Sequence, residues 1–148
     1  MRETIRGACV CVVIALITGS VSRLLRSPYL SSFLEANLIL LLIALLAINT
    51  TTISVVMTKL RELSSKPETF KGTSKEMKWS IIEQVVLIVS SILFLLAKKS
   101  EVILSHIPHA DFALEVALLA IFFYSIHILY DTANSVFVIM NFEEGGKD

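Results

Sequence analysis

The residues of this chain that could do chemistry are polar side chains inside long apolar runs. His127, Asp131 and Asn134 recur at spacings of four and three, which places them on one face of a helix. A carboxylate four residues from a histidine can hold its imidazole in one tautomer, as a proton relay or a pore lining requires. The pattern favours the plainer alternative, an amphipathic helix end that emerges into water.

Glu83 and Gln84 interrupt a second apolar run. No lysine or arginine lies three or four residues from Glu83 on either side, so its own helix supplies no cation. Either Glu83 lies near enough to a membrane surface for water to reach it, or another helix or a cavity satisfies it. Its position five residues after Lys78 favours the first alternative.

A third polar stretch begins at Asn49 and continues through three threonines to Thr52. Such a stretch lines a pore, joins neighbouring helices, or bonds to its own backbone, and the packing alternatives are the commoner ones. Together these residues are our candidates for polar positions inside a membrane or along a pore: Asn49, Thr52, Glu83, Gln84, His127, Asp131 and Asn134.

Enzyme and metal chemistry find little support in the sequence. Cys9 and Cys11 are two residues apart, so on a helix they point to different faces and cannot pair with each other. His106, His109 and Asp111 resemble half of a metal site, but the proline between the histidines disfavours a helix that presents both. No nucleophile–histidine–acid set stands out. We expect no enzyme activity, no metal and no cofactor.

The elements that would position these residues are four apolar runs. The 148 residues are 55% hydrophobic and only 18% charged, against roughly a quarter charged in soluble domains, so the chain falls in the membrane class. We predict an all-α, integral membrane bundle of four transmembrane helices in a single domain, residues 1–148. The helices are expected at about 7–25, 33–64, 74–97 and 112–141, with a connection at about 65–73.

Helix starts are predicted from local patterns. Ser32 with Glu35, and Thr73 with Glu76, have the spacing of capping boxes, and Asp111 is the expected N-cap of the last helix. Gly19 and the nearby serines of the first helix are small enough to let a neighbouring helix approach closely.

Basic residues predict the orientation. Nine fall on one side of the predicted bundle and four on the other, so both termini and the central connection are expected in the cytoplasm. The basic residues around that connection are candidates for a surface that binds a soluble partner or anionic lipid, or simply for topology control: Lys59, Arg61, Lys66, Lys71, Lys75 and Lys78. Net charge is zero, and Phe70 is the one aromatic residue of the central connection before Trp79, so we expect no direct nucleic acid binding.

This layout resembles the KwaA family, the small four-helix membrane subunits of the Kiwa antiphage defence system. The resemblance covers the whole chain and rests on its size, four helices, termini inside and a charged connection at 59–78. It implies an inner-membrane homo-oligomer that senses phage-induced disturbance and holds a soluble cytoplasmic protein. No residue role is carried over from it.

The sequence therefore leads to one main hypothesis and two alternatives. The main one is an oligomeric subunit of the bacterial inner membrane, a scaffold or sensor that docks a soluble partner on its cytoplasmic face. The first alternative is a pore or channel effector lined by Asn49, Thr52, Glu83 and Asp131. The second is a small proton-coupled transporter that uses Glu83, His127 and Asp131.

Overall fold

Four α helices make up the bundle in the computed structural model, which describes residues 2–63, 71–100, 105 and 109–144. Helix α1 spans Arg2–Leu24, α2 Tyr29–Leu63, α3 Lys71–Lys98 and α4 Ala110–Glu144, and none of the described residues lies in a strand. Each helix contains a segment long and apolar enough to cross a membrane: Arg6–Leu24, Tyr29–Lys59, Ser74–Lys98 and Ala110–Val136. The predicted four-helix, all-α fold is confirmed.

The helix starts differ from the predicted ones. Helix α2 begins at Tyr29, directly after Pro28, whose fixed φ suits a helix start, and the Ser32 amide already donates to the Pro28 carbonyl. The predicted N-cap at Ser32 is therefore wrong. Helix α3 is helical from Lys71, so Thr73 lies inside its first turn and not at the predicted cap. Asp111 likewise lies inside α4, where a negative charge complements the helix dipole.

A tight turn reverses the chain between α1 and α2. Arg26 adopts a left-handed conformation with φ of 51°, and the Ser27 amide donates to the Ser22 carbonyl at 3.1 Å. The Arg26 amide donates to the Arg23 carbonyl, which completes a Schellman motif at the end of α1. This turn makes the first two helices antiparallel neighbours along the chain.

Helix α4 is the centre of the bundle. It packs against each of the other three helices, and α2 packs against α3, whereas α1 packs mainly against α4. Leu34, Leu38 and Leu42 of α2 meet Leu118 and Leu119 of α4 in the main apolar core. The first three helices are thus held in place largely by α4 and by the α2–α3 contact.

Helix α1 meets α4 through small residues spaced four apart. Cys11 and Ala15 are buried, and Gly7 and Gly19 flank them on the same stripe. A Cβ atom at Gly19 would lie 3.3 Å from a Val116 methyl group, and one at Gly7 would overlap the His127 imidazole. The absence of side-chain bulk on this stripe lets the two backbones approach.

The bundle has two ends, named here by the chain segments they carry. The turn end carries residues 25–28, the end of α3 and the start of α4, and the terminal end carries the start of α1, the end of α2, the start of α3 and the end of α4. Between the ends, the outer surface is covered with exposed apolar side chains, among them Val10, Ile17, Leu40, Leu93 and Leu96. A surface of this kind is typical of contact with lipid or with other chains.

Candidate functional site

Asn49 of α2 and Gln84 of α3 form a hydrogen-bonded amide pair inside the bundle. The Asn49 Nδ2 atom donates to the Gln84 Oε1 atom and to the Ser80 Oγ atom, each at 3.0 Å. Asn49 is 0% and Gln84 2% exposed. The sequence singled out both residues, and the structure makes them partners across two helices 35 positions apart in the chain.

Glu83, the neighbour of Gln84, faces a different helix. Its carboxylate lies close enough to the Tyr124 hydroxyl of α4 for the two groups to interact electrostatically. Glu83 is only half-buried, in contrast to Gln84. Glu83 is thus near a polar group of another helix and is also partly exposed, so both alternatives for it stay predictions.

His127 and Asp131 continue this polar side of α4 toward the terminal end. Their side chains are 3.6 Å apart between Nε2 and Oδ2, and the His127 ring also contacts the Tyr124 ring. Gly7 of α1 lies against the Nε2–Cδ2 edge of the same imidazole. Asn134, one turn further on, is exposed. We call Glu83, Tyr124, His127 and Asp131 the carboxylate–histidine cluster; it joins α3 and α4 beside α1.

The hydroxyl groups of the α2 polar stretch bond within their own helix. Thr52 donates to the Ile48 carbonyl at 2.9 Å, and the same bond to the residue four positions earlier is made by Thr50, Thr51, Ser54 and Thr58. Such bonds satisfy a hydroxyl without water or a neighbouring helix. This is the backbone-bonding alternative for the stretch.

Two of the four residues of the pore hypothesis, Glu83 and Asp131, belong to the carboxylate–histidine cluster, and the other two lie outside it. Asn49 is enclosed between α2 and α3, and Glu83 faces Tyr124. Thr52 is half-buried, and Asp131 is exposed beside His127. Toward the turn end, the space between α2 and α4 is filled by leucines.

The basic surface lies at the terminal end. Lys59, Lys75 and Lys78 are exposed there, and Lys59 borders a shallow groove of about 260 Å³ whose other lining residues are Ser54, Val55 and Thr58. Arg61 and Lys71 lie on the helix ends, and the predicted surface residue Lys66 lies outside the described residues. Lys59, Lys71, Lys75 and Lys78 thus lie at one end of the bundle.

An ion-pair network at the turn end was not foreseen from the sequence. Lys98 donates from Nζ to Glu35 Oε1 and to Ser31 Oγ, both at 2.7 Å, and lies 3.8 Å from Asp111 Oδ1. Arg23 lies 3.5 Å from the other oxygen of Asp111. One charged residue from each helix takes part, and the Lys98 side chain is only 10% exposed.

Sequence reasoning missed this network because it interpreted each charge locally. Arg23 and Lys98 count among the basic residues that predict the membrane orientation. Glu35 and Asp111 are interpreted as parts of helix caps. The signal that was available is one charge of suitable sign at the same end of every apolar run. Asp111, part of the weak metal motif, is engaged by cations here, and His109 is exposed with a φ of 66°. His106 lies outside the described residues.

The two cysteines occupy different surroundings. Cys9 is exposed and Cys11 is buried against α4, as two positions on different faces of a helix should be, and neither forms a disulfide. Within the described ranges, no three potential ligand residues are grouped as a metal ion would need.

Comparison with known proteins supplies no relative: no protein-family model, curated protein or solved structure matches this chain.

Proposed function

We propose that this chain is a multi-pass subunit of an oligomeric complex in the bacterial inner membrane, a scaffold or sensor that docks a soluble protein at its terminal end. The observation that carries the proposal is the length of α2 and α4. Each has 35 residues, about 52 Å of helix, against roughly 30 Å for the hydrocarbon core of a bilayer. At the terminal end, α2 finishes with the charged residues Lys59, Arg61 and Glu62, and α4 finishes with Glu143 and Glu144 after an apolar run that ends at Met140.

The membrane part of the proposal rests on the outer surface. Side chains such as Ile17 (60% exposed) and Leu93 (60% exposed) would be costly in water, and they surround the bundle along its apolar segments. A lipid bilayer removes that cost.

The cytoplasmic docking part rests on charge. Exposed lysines at positions 59, 75 and 78 share the terminal end with the extended helices, and the excess of basic residues there predicts that this end is cytoplasmic. The resemblance in layout to the Kiwa membrane subunits agrees with a membrane-bound oligomer that holds a soluble protein. A sensing role would then consist of transmitting a change in the membrane to that partner through α4.

The test is the mass of the intact assembly, purified in mild detergent from its native membrane together with whatever remains bound. The informative variant is Glu143→Lys with Glu144→Lys, which reverses charge on the α4 extension and cannot invert the topology, because it adds cations to the cytoplasmic end. We expect the homo-oligomer to persist and the soluble protein to be lost.

The matched control changes the opposite end. Arg26→Asn with Lys99→Gln removes cations at the turn end, where Asn tolerates the left-handed conformation of residue 26. This control should retain both the oligomer and the partner. A monomer that carries no other protein in the unmodified chain would refute the proposal.

A second candidate, proton-coupled transport, is favoured by the carboxylate–histidine cluster alone. Glu83 with Tyr124 and His127 with Asp131 place two carboxylates and an imidazole at adjoining turns of α3 and α4. Ionisable groups inside membrane spans are typical of proton relays. Reconstituted vesicles should then show proton uptake that Glu83→Gln abolishes and Glu76→Gln, an exposed control on the same helix, leaves intact. Unchanged uptake in Glu83→Gln would exclude this candidate.

A further inference from the structure

Three buried polar atoms in the bundle lack a hydrogen-bond partner among the described residues: Asn49 Oδ1, Gln84 Nε2 and Ser125 Oγ. Their side chains are 0%, 2% and 1% exposed in turn. The amide pair leaves one atom on each partner unused, whichever way the two amides are oriented, because a single mutual bond engages only one atom of each. A polar group that is buried without a hydrogen-bond partner destabilises the fold by the full free energy of its desolvation.

The helix register places these three residues at one level. At the turn end, Lys98 of α3 contacts Glu35 of α2 and Asp111 of α4. Counted along each helix toward the terminal end, Gln84 lies 14 residues from Lys98, Asn49 lies 14 residues from Glu35, and Ser125 lies 14 residues from Asp111. Helices α2 and α4 run toward the terminal end and α3 runs away from it, so each of these steps is a displacement of about 21 Å toward that end, and the three residues lie at one level. The observed Asn49–Gln84 bond verifies this register between α2 and α3.

The same count places the three side chains on matching faces. Fourteen residues are close to four helical turns, so Ser125 returns to nearly the face of α4 that carries Asp111 toward Lys98. His127, two residues further, faces α1 at Gly7, and a step of two residues reverses the direction of a helical side chain almost completely. Ser125 is buried and points away from α1, so it faces α2 and α3.

The Ser125 hydroxyl also departs from its neighbours. Thr132, on the same face two turns later, donates to the Ile128 carbonyl at 3.1 Å, and Ser135 donates to the Asp131 carbonyl at 2.9 Å. Ser125 makes no such bond to its own helix within the described structure. Its donor is therefore available to a partner in the space between the helices.

Apolar residues enclose this level on both sides. Toward the turn end lie Leu42 and Leu118 of the main core, and toward the terminal end lie Ile53, Val56 and Met77, a second buried apolar cluster. A molecule bound at this level is shielded from bulk solvent, so its hydrogen bonds must come from the three side chains. One unused acceptor, one unused donor and one hydroxyl match the bonding capacity of water.

We propose that Asn49, Gln84 and Ser125 form a binding site for a buried water molecule that joins α2, α3 and α4. The water donates to Asn49 Oδ1, accepts from Gln84 Nε2, and bonds to the Ser125 hydroxyl. It fixes the register of the three helices at a level where packing alone is apolar and permissive. This role is independent of the proposed docking function, since it needs neither a partner protein nor an oligomer.

The experiment is water-edited solid-state NMR on the isotope-labelled full chain in phosphatidylethanolamine–phosphatidylglycerol bilayers. Magnetisation transferred from water should reach the side-chain amide of Gln84, buried as it is, and also that of the exposed Asn134, which serves as the positive control. Ser125→Val fills the site with an apolar branch and should remove the transfer to Gln84 while leaving that to Asn134. Thr132→Val removes another buried hydroxyl group from the same face of α4 and should leave both signals unchanged.

Three results would overturn the proposal. The first is no transfer to Gln84 in the unmodified chain, a measurement that needs no variant to fold. The second is an equal transfer in Ser125→Val. The third is a shift of the Asn49 and Gln84 amide signals when sodium replaces potassium in the buffer, which would assign the site to a cation and not to water.

Discussion

The single residue Lys98 contacts Ser31, Glu35 and Asp111, so its loss should destabilise the turn end of the bundle. Lys98→Met would leave Glu35 and Asp111 without their shared cation, in a position where the lysine side chain is only 10% exposed. Water still reaches both carboxylates, so we expect a loss of about 2 kcal/mol in the free energy of unfolding, less than for a fully buried pair. Thermal or denaturant unfolding in detergent measures it.

The adjacent lysine provides the control for this change. Lys99 is exposed, and Lys99→Met should alter the free energy of unfolding by less than about 0.5 kcal/mol. Adding Glu35→Gln to Lys98→Met should recover part of the loss, because an unpaired carboxylate is then removed. Equal effects of the two lysine changes would mean that the network contributes nothing to stability.

Gly7 should be sensitive to the smallest side chain. The Cβ of Gly7→Ala would overlap the His127 imidazole, which must rotate away from α1 at a cost of about 1 kcal/mol. In a His127→Ala background this cost should vanish, and comparing the free energies of unfolding in the two backgrounds isolates the contact. The control is Gly72→Ala, at a helical position with no atom nearby. An identical cost in both backgrounds would show that Gly7 acts through its backbone and not through His127.

At the level of elements, the four helices were predictable and their partners were not. Apolar runs of sufficient length specify helices by composition alone, and all four appear within a few residues of their predicted positions. Asn49 and Gln84 were recognised as candidates, but their mutual bond depends on the register between two helices, which no periodicity within one helix encodes. Ser125 escaped notice because a single serine in an apolar run is common.

The interface between α1 and α4 shows a pattern that could have been found. Gly7, Cys11, Ala15 and Gly19 repeat every four residues, yet the predicted contact surface of α1 centred on Gly19 and its neighbouring serines. Ser20 is in fact exposed. Small residues mark close approach only when they recur along one face, so the repeat is the informative signal and the local cluster is not.

The docking of α1 should therefore fail when bulk is added to this stripe. Ala15 is 0% exposed, and Ala15→Leu would force its side chain into α4, at a cost of about 2 kcal/mol in the free energy of unfolding. Val13→Leu adds bulk on the exposed side of α1 and should be nearly neutral. Limited proteolysis of α1 would reveal the same difference as faster cleavage in Ala15→Leu. If Ala15→Leu is as stable as Val13→Leu, α1 is not held by this stripe.

For the whole molecule, the two ends differ in both polarity and reach, and the orientation prediction follows from that difference. The turn end is closed by the Lys98 network and a short turn, while the terminal end carries extended helices and exposed lysines. Basic residues are retained in the cytoplasm during insertion, so the nine that the sequence assigns to the side of the terminal end should outweigh the four assigned to the other side. Both termini should then lie in the cytoplasm.

Cysteine labelling decides this orientation directly. In a chain with Cys9→Ser and Cys11→Ser, Lys75→Cys places a thiol at the terminal end and Ser27→Cys places one at the turn end, both at exposed positions. A membrane-impermeant maleimide applied to intact spheroplasts should label the cysteine at position 27 and should reach the one at position 75 only after the membrane is opened. The reverse pattern would move the extended helices outside the cell, where no cytoplasmic protein could dock on them. Labelling of both positions in intact spheroplasts would indicate mixed insertion. Lys75→Cys removes a cation and could itself favour mixed insertion. Gly72→Cys keeps every basic residue and is therefore the deciding variant at the terminal end.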